Sequence, residues 1–279
     1  MGIWYALWDA LPFEMLHWDF MKNALLAVIL MAPLFGLCST MIVTGKMSFF
    51  SDALGHSAFT GIAIGSICGV AAPTWVAVLF AVGFAALFSF VRSRSNQAAD
   101  TIIGVFSSTA VALGIFIATL GGGSFTKYNR YLIGDVLSIT PGQIGLLVLV
   151  LMGVIAFWVL FANKLTLASI HPQLASSRGV PVALIQGIFT AVIAVVVTLA
   201  INWVGLLILN SLLVLPGAAA RNISKNLKQY HLFSVIFALL AGIVGLILSY
   251  FLGASSGAAI CLVLAVIFGI SFAFRKVRG

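Results

Sequence analysis

The sequence predicts an all-α, polytopic membrane protein. Hydrophobic residues make up 62% of its 279 positions and charged residues only 7%, which is more apolar surface than the core of a soluble domain can bury. Apolar runs of about twenty residues, the length of a membrane-crossing helix, recur along the whole chain. We identify about nine, or eight if the short seventh run does not cross: 23–44, 49–69, 73–92, 101–120, 142–162, 182–201, 203–219, 232–252 and 255–274. The connections leave no room for a soluble domain, so residues 23–279 are predicted to be one transmembrane domain.

The first 22 residues precede these runs and are rich in aromatic side chains. Trp4, Tyr5, Trp8 and Trp18 stand among apolar and acidic residues. Tryptophan and tyrosine favour the boundary between membrane and water. We therefore expect residues 1–22 to form an interfacial segment ahead of the first crossing, with a poorly ordered terminus as the alternative.

Basic residues predict the orientation of the chain in the membrane. If Arg92 and Arg94 are cytoplasmic, alternation of the crossings places all but three of the 14 lysines and arginines on the same side. Lys22, Lys127 and Arg130 are the three that fall outside. The N-terminus is thus expected outside and the C-terminus inside. Because the inner basic residues are spread over several segments, the net charge of +8 does not indicate nucleic-acid binding.

Two connections are longer than the others. The outer one, 121–141, mixes glycine, aromatic and charged residues, and is predicted to be a re-entrant or capping segment, or else a plain connector. The inner one, 163–181, contains Pro172, which suits the first turn of a helix, and Gly179, which suits its end. This pattern predicts a cytoplasmic helix of about seven residues. Such a helix offers a docking surface for a soluble partner, and the alternative is a simple linker.

Asp52 and His56 are the most informative pair of residues in the chain. They lie four positions apart inside the second apolar run, so a helix places both on one face, one turn apart. Imidazole nitrogen and carboxylate oxygen both ligate divalent metals. Ionisable groups at membrane depth are costly and usually mark a pathway for ions or protons. The pair is therefore a candidate metal site, with a purely structural hydrogen-bonded pair as the alternative.

Further polar and small residues of these runs are weaker candidates. Thr60 continues the line of Asp52 and His56, and Asn210 lies within the seventh run. Both offer oxygen to a metal path, although such residues more often bridge helices. A stripe of small residues at every fourth position flanks the polar line and predicts close packing against another helix: Ala53, Ser57, Gly61, Gly65 and Gly69.

The sequence excludes an ATP site of the P-loop kind and a cysteine-based metal site. Lys46 is followed by Met47 rather than by serine or threonine, and the glycine spacing of a P-loop is missing. Cys38, Cys68 and Cys261 lie singly in apolar runs and form no disulfide or metal pattern. The chain is therefore not expected to hydrolyse ATP.

The stretch at residues 45–65 resembles the signature of the zinc, manganese and iron ABC-transporter permeases. It reads GKMSFFSDALGHSAFTGIAIG, where the family shows a basic residue, Met-Ser/Ala, Gly-Asp-Ala-(Leu/Ile)-Ser-His-Ala and Leu-Pro-Gly. The resemblance covers nearly the whole chain in the family's order. The further matches are DTIIG at 100–104, YLIGD at 131–135, VGLLI at 204–208, LPGAAAR at 215–221 and SGAAI at 256–260.

The resemblance implies a homodimeric permease of eight or nine helices in the bacterial inner membrane. Members of the family work with a separate ABC ATPase and with an external metal-binding protein, which delivers Zn(II), Mn(II) or Fe(II). The permease itself is not an enzyme and holds no permanent cofactor. Its signature acid and histidine line the metal path and correspond here to Asp52 and His56. Three departures, Ser51 for glycine, Gly55 for serine and Thr60 for proline, leave that pair intact.

The resemblance also assigns the inner helix to coupling with the ATPase. Members of the family usually begin this helix with an acidic residue, whereas this chain begins it with a histidine, so its contacts are expected to differ from the common pattern. Leu174 and Ala175 are expected to fill a groove of the ATPase. The full set of assigned coupling residues is His171, Pro172, Gln173, Leu174, Ala175 and Gly179.

Together these observations predict the permease of an ABC importer for a divalent transition metal, with zinc ahead of manganese and iron. Asp52 and His56 supply two ligands, fewer than the four of a closed zinc site, so water, Asn210 or a second copy would complete the shell. An incomplete site suits an ion that must leave as well as enter. The alternative is a proton-coupled secondary cation transporter in which the pair relays protons.

Overall fold

The computed structural model describes residues 4–5, 17–120, 134 and 136–278, and within them all regular structure is helical. A short 3-10 turn, Val136–Ser138, precedes the fifth helix. The α-helices in chain order are α1 Asp19–Thr44, α2 Phe50–Ile67, α3 Pro73–Arg94, α4 Ala99–Leu120, α5 Pro141–Ile170, α6 Pro172–Ser177, α7 Val182–Val204, α8 Leu206–Ile223, α9 Leu227–Leu252 and α10 Ser256–Arg278.

Seven helices in the described ranges are long and apolar enough to cross a membrane, namely α1, α3, α4, α5, α7, α9 and the Ser256–Phe274 part of α10. The prediction of an all-α polytopic membrane protein is therefore confirmed. Helices α2 and α8 have 18 residues each, or about 27 Å of helix, close to the roughly 30 Å of a hydrocarbon core. Whether they complete nine crossings stays a prediction, as does the single transmembrane domain from residue 23.

The longest helix, α5, corrects the predicted end of the fifth run. It continues to Ile170, eight residues beyond position 162, so the first part of the predicted inner connection is helical. No glycine or proline interrupts residues 163–170. The helix ends where Pro172 forces the preceding residue out of the helical region, and His171 accordingly has φ −134° and ψ 77°.

The break between α7 and α8 depends on a glycine. Gly205 has φ 84° and ψ 152°, a conformation that only glycine adopts readily. Gly134 approaches it so closely that a Cβ at position 134 would lie 2.1 Å from the backbone nitrogen of Gly205. Helix α8, which corresponds to the seventh predicted run, consequently starts at Leu206, a few residues later than the predicted 203.

Backbone contacts divide the chain into two compact units, the first made of residues 1–40, 135–156 and 211–279. In this unit α1 packs against α9, where the hydroxyl of Ser234 donates to the carbonyl of Gly36 at 2.7 Å. Helix α9 in turn packs closely on α10 at Gly245, where a Cβ would lie only 2.6 Å from Cα of Ile260. Ser39 joins α1 to α8 by accepting from the backbone N–H of Gly217 at 2.8 Å.

The structure describes only part of the predicted interfacial segment and of the predicted outer segment. The indole N–H of Trp4 donates to the carbonyl of Lys22 at 3.1 Å, and the hydroxyl of Tyr5 donates to Oδ1 of Asn23 at 2.7 Å. Trp18 is exposed. Residues 1–3 and 6–16 of the predicted interfacial segment, and residues 121–133 and 135 of the predicted outer segment, lie outside the described residues.

The second unit, residues 41–134 and 157–210, is arranged around α2, which packs against α3, α4 and α7. The predicted small-residue stripe lies against α3: a Cβ at Gly61 would be 2.5 Å from Cα of Ala77, and one at Gly65 would be 3.0 Å from Cα of Pro73. Gly69, which the stripe was predicted to include, lies beyond the end of α2 with φ 69°. The close approach of α2 and α3 therefore ends at Gly65.

Candidate metal path

The turn before α2 sets the position of the candidate ligands. After α1 ends, Lys46 adopts a positive φ of 53°, and the backbone N–H of Met47 returns to the carbonyl of Ile42 at 3.0 Å. Helix α2 then begins at Phe50, which places Asp52 in its first turn. A carboxylate is favoured there because the N-terminal end of a helix carries a partial positive charge.

Asp52 and His56 lie together, as their spacing predicts. Nε2 of His56 is 3.6 Å from Oδ2 of Asp52. From Phe50 to Ala63, all residues of α2 except Asp52 and His56 are buried. The Asp52 side chain is 37% exposed and the His56 side chain 25% exposed. The two candidate ligands are therefore the accessible side chains on this stretch of α2.

A third side chain reaches the same carboxylate from α4. The hydroxyl of Ser107 donates to Oδ2 of Asp52 at 3.2 Å. The sequence contains a relevant signal, a run of three hydroxyl residues at 107–109 within an apolar helix, but that run does not indicate which hydroxyl faces α2. Sequence reasoning therefore missed Ser107.

Thr60 has contacts unlike those expected of a path residue. Its side chain is fully buried, and its hydroxyl lies within hydrogen-bond distance of the carbonyls of His56, at 3.0 Å, and Ala110, at 2.9 Å. A Cβ at Gly114 would lie only 2.8 Å from the same hydroxyl. Thr60 thus bridges α2 and α4 at a point of close approach, which is the role that such residues more often have in membrane helices.

Asn210 lies beside the ligand pair through a neighbour of Asp52. The hydroxyl of Ser51 donates to Oδ1 of Asn210 in a short hydrogen bond that joins the first turn of α2 to α8. Asn210 is half-buried, and its oxygen is used by this contact. It therefore helps to fix the start of α2, and its role as a transient ligand stays a prediction.

Asp52 and His56 form an incomplete donor set for a divalent transition metal. Asp52 and His56 offer one oxygen ligand and one nitrogen ligand, which Zn²⁺ and Mn²⁺ both accept. Within the described ranges, no cluster of three or more His, Cys, Asp or Glu side chains is placed to hold a metal ion. One protomer can thus contribute two protein ligands at this point, and an ion bound there keeps open positions.

The predicted coupling segment forms a short helix on the surface. Helix α6 spans six residues, Pro172–Ser177, one fewer than predicted, and packs on α7. Gly179 ends the segment with φ 73°. His171, Gln173 and Leu174 are exposed, and Leu174 keeps 46% of its surface accessible. Together with Ile170 they line a shallow groove on this face of the protein.

Ala175 does not share that exposed face. Its side chain is completely buried. A helix of six residues has little more than one turn and a half, so one of its faces necessarily turns towards the rest of the protein. Ala175 lies on the inward face and anchors α6, whereas the side chain of Leu174 stays accessible to a partner.

Comparison with known proteins supports the resemblance to the metal ABC-transporter permeases along nearly the whole chain. The model of the ABC 3 transport family matches residues 17–275. The manganese transport system membrane protein MntC of Listeria monocytogenes serovar 1/2a is 27% identical over 270 residues, which cover 95% of this chain and 94% of that protein. The high-affinity zinc uptake system membrane protein ZnuB of Haemophilus influenzae is 29% identical, covering 91% of this chain and 97% of its own.

A solved structure agrees with these sequence relationships. PsaBC from Streptococcus pneumoniae in complex with Fab superposes with a TM-score of 0.79 and 25% sequence identity, and the match covers all of both chains. The resemblance to the metal ABC permeases is confirmed by these matches. The chain belongs to the ABC 3 transport family, as a non-enzymatic permease subunit that spans the membrane.

Proposed function

We propose that this protein is the permease of an ABC importer that carries a divalent transition metal, Zn²⁺, Mn²⁺ or Fe²⁺, into the cytoplasm. The observation that carries the proposal is the accessibility of Asp52 and His56 on an otherwise buried stretch of α2. Relatives named for manganese and for zinc support a metal of this class. The family match gives no support to the alternative of a proton-coupled secondary transporter.

We propose further that the working unit is a homodimer. A carboxylate that keeps more than a third of its surface exposed within a membrane protein is too costly to face lipid, so water or another protein surface must cover it. A second copy related by a two-fold axis would bring a second Asp52 and a second His56. The mixed set of nitrogen and oxygen ligands would then reach the four that zinc prefers.

Two further partners complete the proposal. A separate ATPase supplies the energy and docks on the exposed face of α6, where His171, Gln173 and Leu174 are accessible. An external metal-binding protein delivers the ion to the outer side. The transported metal is a substrate in this scheme, and the permease holds no resident cofactor.

The proposed orientation places the N-terminus outside and the C-terminus in the cytoplasm, and a native cysteine can test it. Cys68, at the end of α2, is exposed, and this orientation puts it outside. Gln97, in the connection between α3 and α4, is also exposed and would be inside. We expect a membrane-impermeant maleimide to label Cys68 in intact spheroplasts. Gln97→Cys in a Cys68→Ser background should react only after permeabilisation, and the reverse pattern would contradict the orientation.

The function itself can be tested by deleting and restoring the protein. Cells that lack it should lose uptake of radioactive Zn²⁺ or Mn²⁺, and expression of the tagged chain should restore uptake and co-purify an ATPase. Uptake should stop when the catalytic glutamate of that ATPase is replaced. Uptake driven by a proton gradient and insensitive to the ATPase variant would instead indicate the secondary transporter.

A further inference from the structure

We propose that Ser107 is a positioning residue of the metal path, whose hydroxyl orients the carboxylate of Asp52 towards the passing ion. The inference rests on the proposed function of Asp52 as a ligand. It adds a residue from α4 to a site whose candidate ligands both come from α2. The transported ion would not touch Ser107, which acts through Asp52.

The first observation is that the contacts of the Asp52 carboxylate with Ser107 and His56 both use the same oxygen, Oδ2. The Ser107 hydroxyl lies 3.2 Å from Oδ2 of Asp52, and Nε2 of His56 lies 3.6 Å from the same oxygen. Among the described residues, no hydrogen bond or ion pair uses Oδ1. A carboxylate offers lone pairs on both oxygens, so Oδ1 stays available for a metal while Oδ2 is held.

The second observation is that the Ser107 hydroxyl reaches another helix, as those of Ser51 and Ser234 do, and that its acceptor there is a carboxylate. Serine and threonine in apolar helices normally satisfy their hydroxyls on a backbone carbonyl of their own helix. Four threonines of the membrane helices do so at 2.7–2.9 Å: Thr109 on Val105, Thr119 on Ile115, Thr166 on Ala162 and Thr198 on Ala194. Ser107 instead donates to an ionisable side chain of another helix.

The third observation is that packing fixes Ser107 opposite Asp52. On α4, Ser107 lies one turn after Ile103 and three residues before Ala110, both of which are buried. The carbonyl of Ala110 contacts the hydroxyl of Thr60, so α2 and α4 are held together one turn beyond the ligand pair. The donor is therefore in place before an ion arrives, and the carboxylate does not have to be oriented by the ion itself.

The expected consequence is a loss of metal affinity when the hydroxyl is removed. Partners that hydrogen-bond a metal ligand fix its orientation, and their removal typically costs about 10- to 100-fold in affinity or activity. We expect Ser107→Ala to weaken binding and uptake by at least about ten-fold.

The experiment compares three variants with the parent protein. Ser107→Ala removes the donor, Ser107→Thr restores it, and Ser108→Ala makes the same chemical change at an exposed neighbour. Affinity for Zn²⁺ and Mn²⁺ is measured on purified permease in nanodiscs, and uptake is measured per folded protein. We expect a loss for Ser107→Ala, substantial recovery for Ser107→Thr and no change for Ser108→Ala.

The outcomes separate this inference from the proposed function. If Ser107→Ala lowers only the yield of folded protein and leaves affinity and uptake per folded protein at parental values, the hydroxyl is structural and the inference is wrong. In an Asp52→Asn background, Ser107→Ala should have no further effect, because it acts through that carboxylate. Normal uptake by Asp52→Asn alone would instead remove Asp52 from the path, and with it the proposed site.

Discussion

Replacing Asp52 by Asn is expected to reduce metal uptake to near background while the protein still folds. The amide has the shape of the carboxylate but lacks the charge that offsets a dication. Two unit charges 4 Å apart attract by about 4 kcal/mol at an effective dielectric constant of about 20, and a dication doubles the charge on one side. Losing about 4 kcal/mol of attraction lowers the affinity for the ion by a factor of about a thousand or more. Uptake of radioactive Zn²⁺ and Mn²⁺ per folded permease measures it.

His56→Gln should give a comparable loss, because it retains a polar side chain of similar size but removes the imidazole nitrogen. The double variant should be little worse than either single variant, since both side chains serve one ion position. Binding of the ATPase should be retained in all three variants. Neither side chain belongs to the exposed face of α6 that is proposed to dock the ATPase.

Matched controls make the same chemical changes elsewhere. Asp100, like Asp52, is a carboxylate in the first turn of a helix, but it is exposed and outside the candidate path. His17 is an exposed histidine just before α1. Asp100→Asn and His17→Gln should leave uptake unchanged. Near-normal uptake per folded protein in the Asp52 and His56 variants would exclude the pair from the path, and a loss of folded protein in proportion to lost uptake would make it structural.

Local sequence rules predicted the parts of this protein that depend on a single residue type. The spacing of Asp52 and His56 determined that they share a face of α2, because helical geometry alone fixes that relationship. Pro172 and Gly179 likewise located α6 to within one residue, since a proline and a positive-φ glycine act on the backbone directly.

What the sequence could not supply is the register between helices. Thr60 follows Asp52 and His56 on the same face, yet it is fully buried because α4 packs closely against it at Gly114. Ser107 was hidden among three adjacent hydroxyl residues, and only the packing of α4 on α2 selects it. Ala175 was assigned to a docking face that α6 turns inward. The deciding contacts of Thr60 and Ser107 join residues 50 and 55 positions apart in the sequence.

The second large effect is expected at Leu174, on the exposed face of α6 that is proposed to dock the ATPase. Leu174→Asp should abolish both association with the ATPase and transport, because an unpaired carboxylate would be buried where an apolar side chain docks. An unpaired charge in an interface costs about 3 kcal/mol or more, so the dissociation constant should rise by at least about a hundred-fold. Leu174→Ala, which removes only part of the apolar contact, should give a smaller loss.

The substitution is expected to leave the permease folded, which is what makes the measurement decisive. Leu174 is the third residue of α6 and is exposed, and an acidic residue in the first turn of a helix is compatible with its dipole. Leu227, an exposed leucine in the first turn of α9, allows the same change outside the coupling segment, so Leu227→Asp is the matched control. Pull-down of the ATPase and uptake, both per folded permease, should fall together for Leu174→Asp and stay at parental values for Leu227→Asp. If Leu174→Asp binds the ATPase and transports normally, docking does not involve this face of α6.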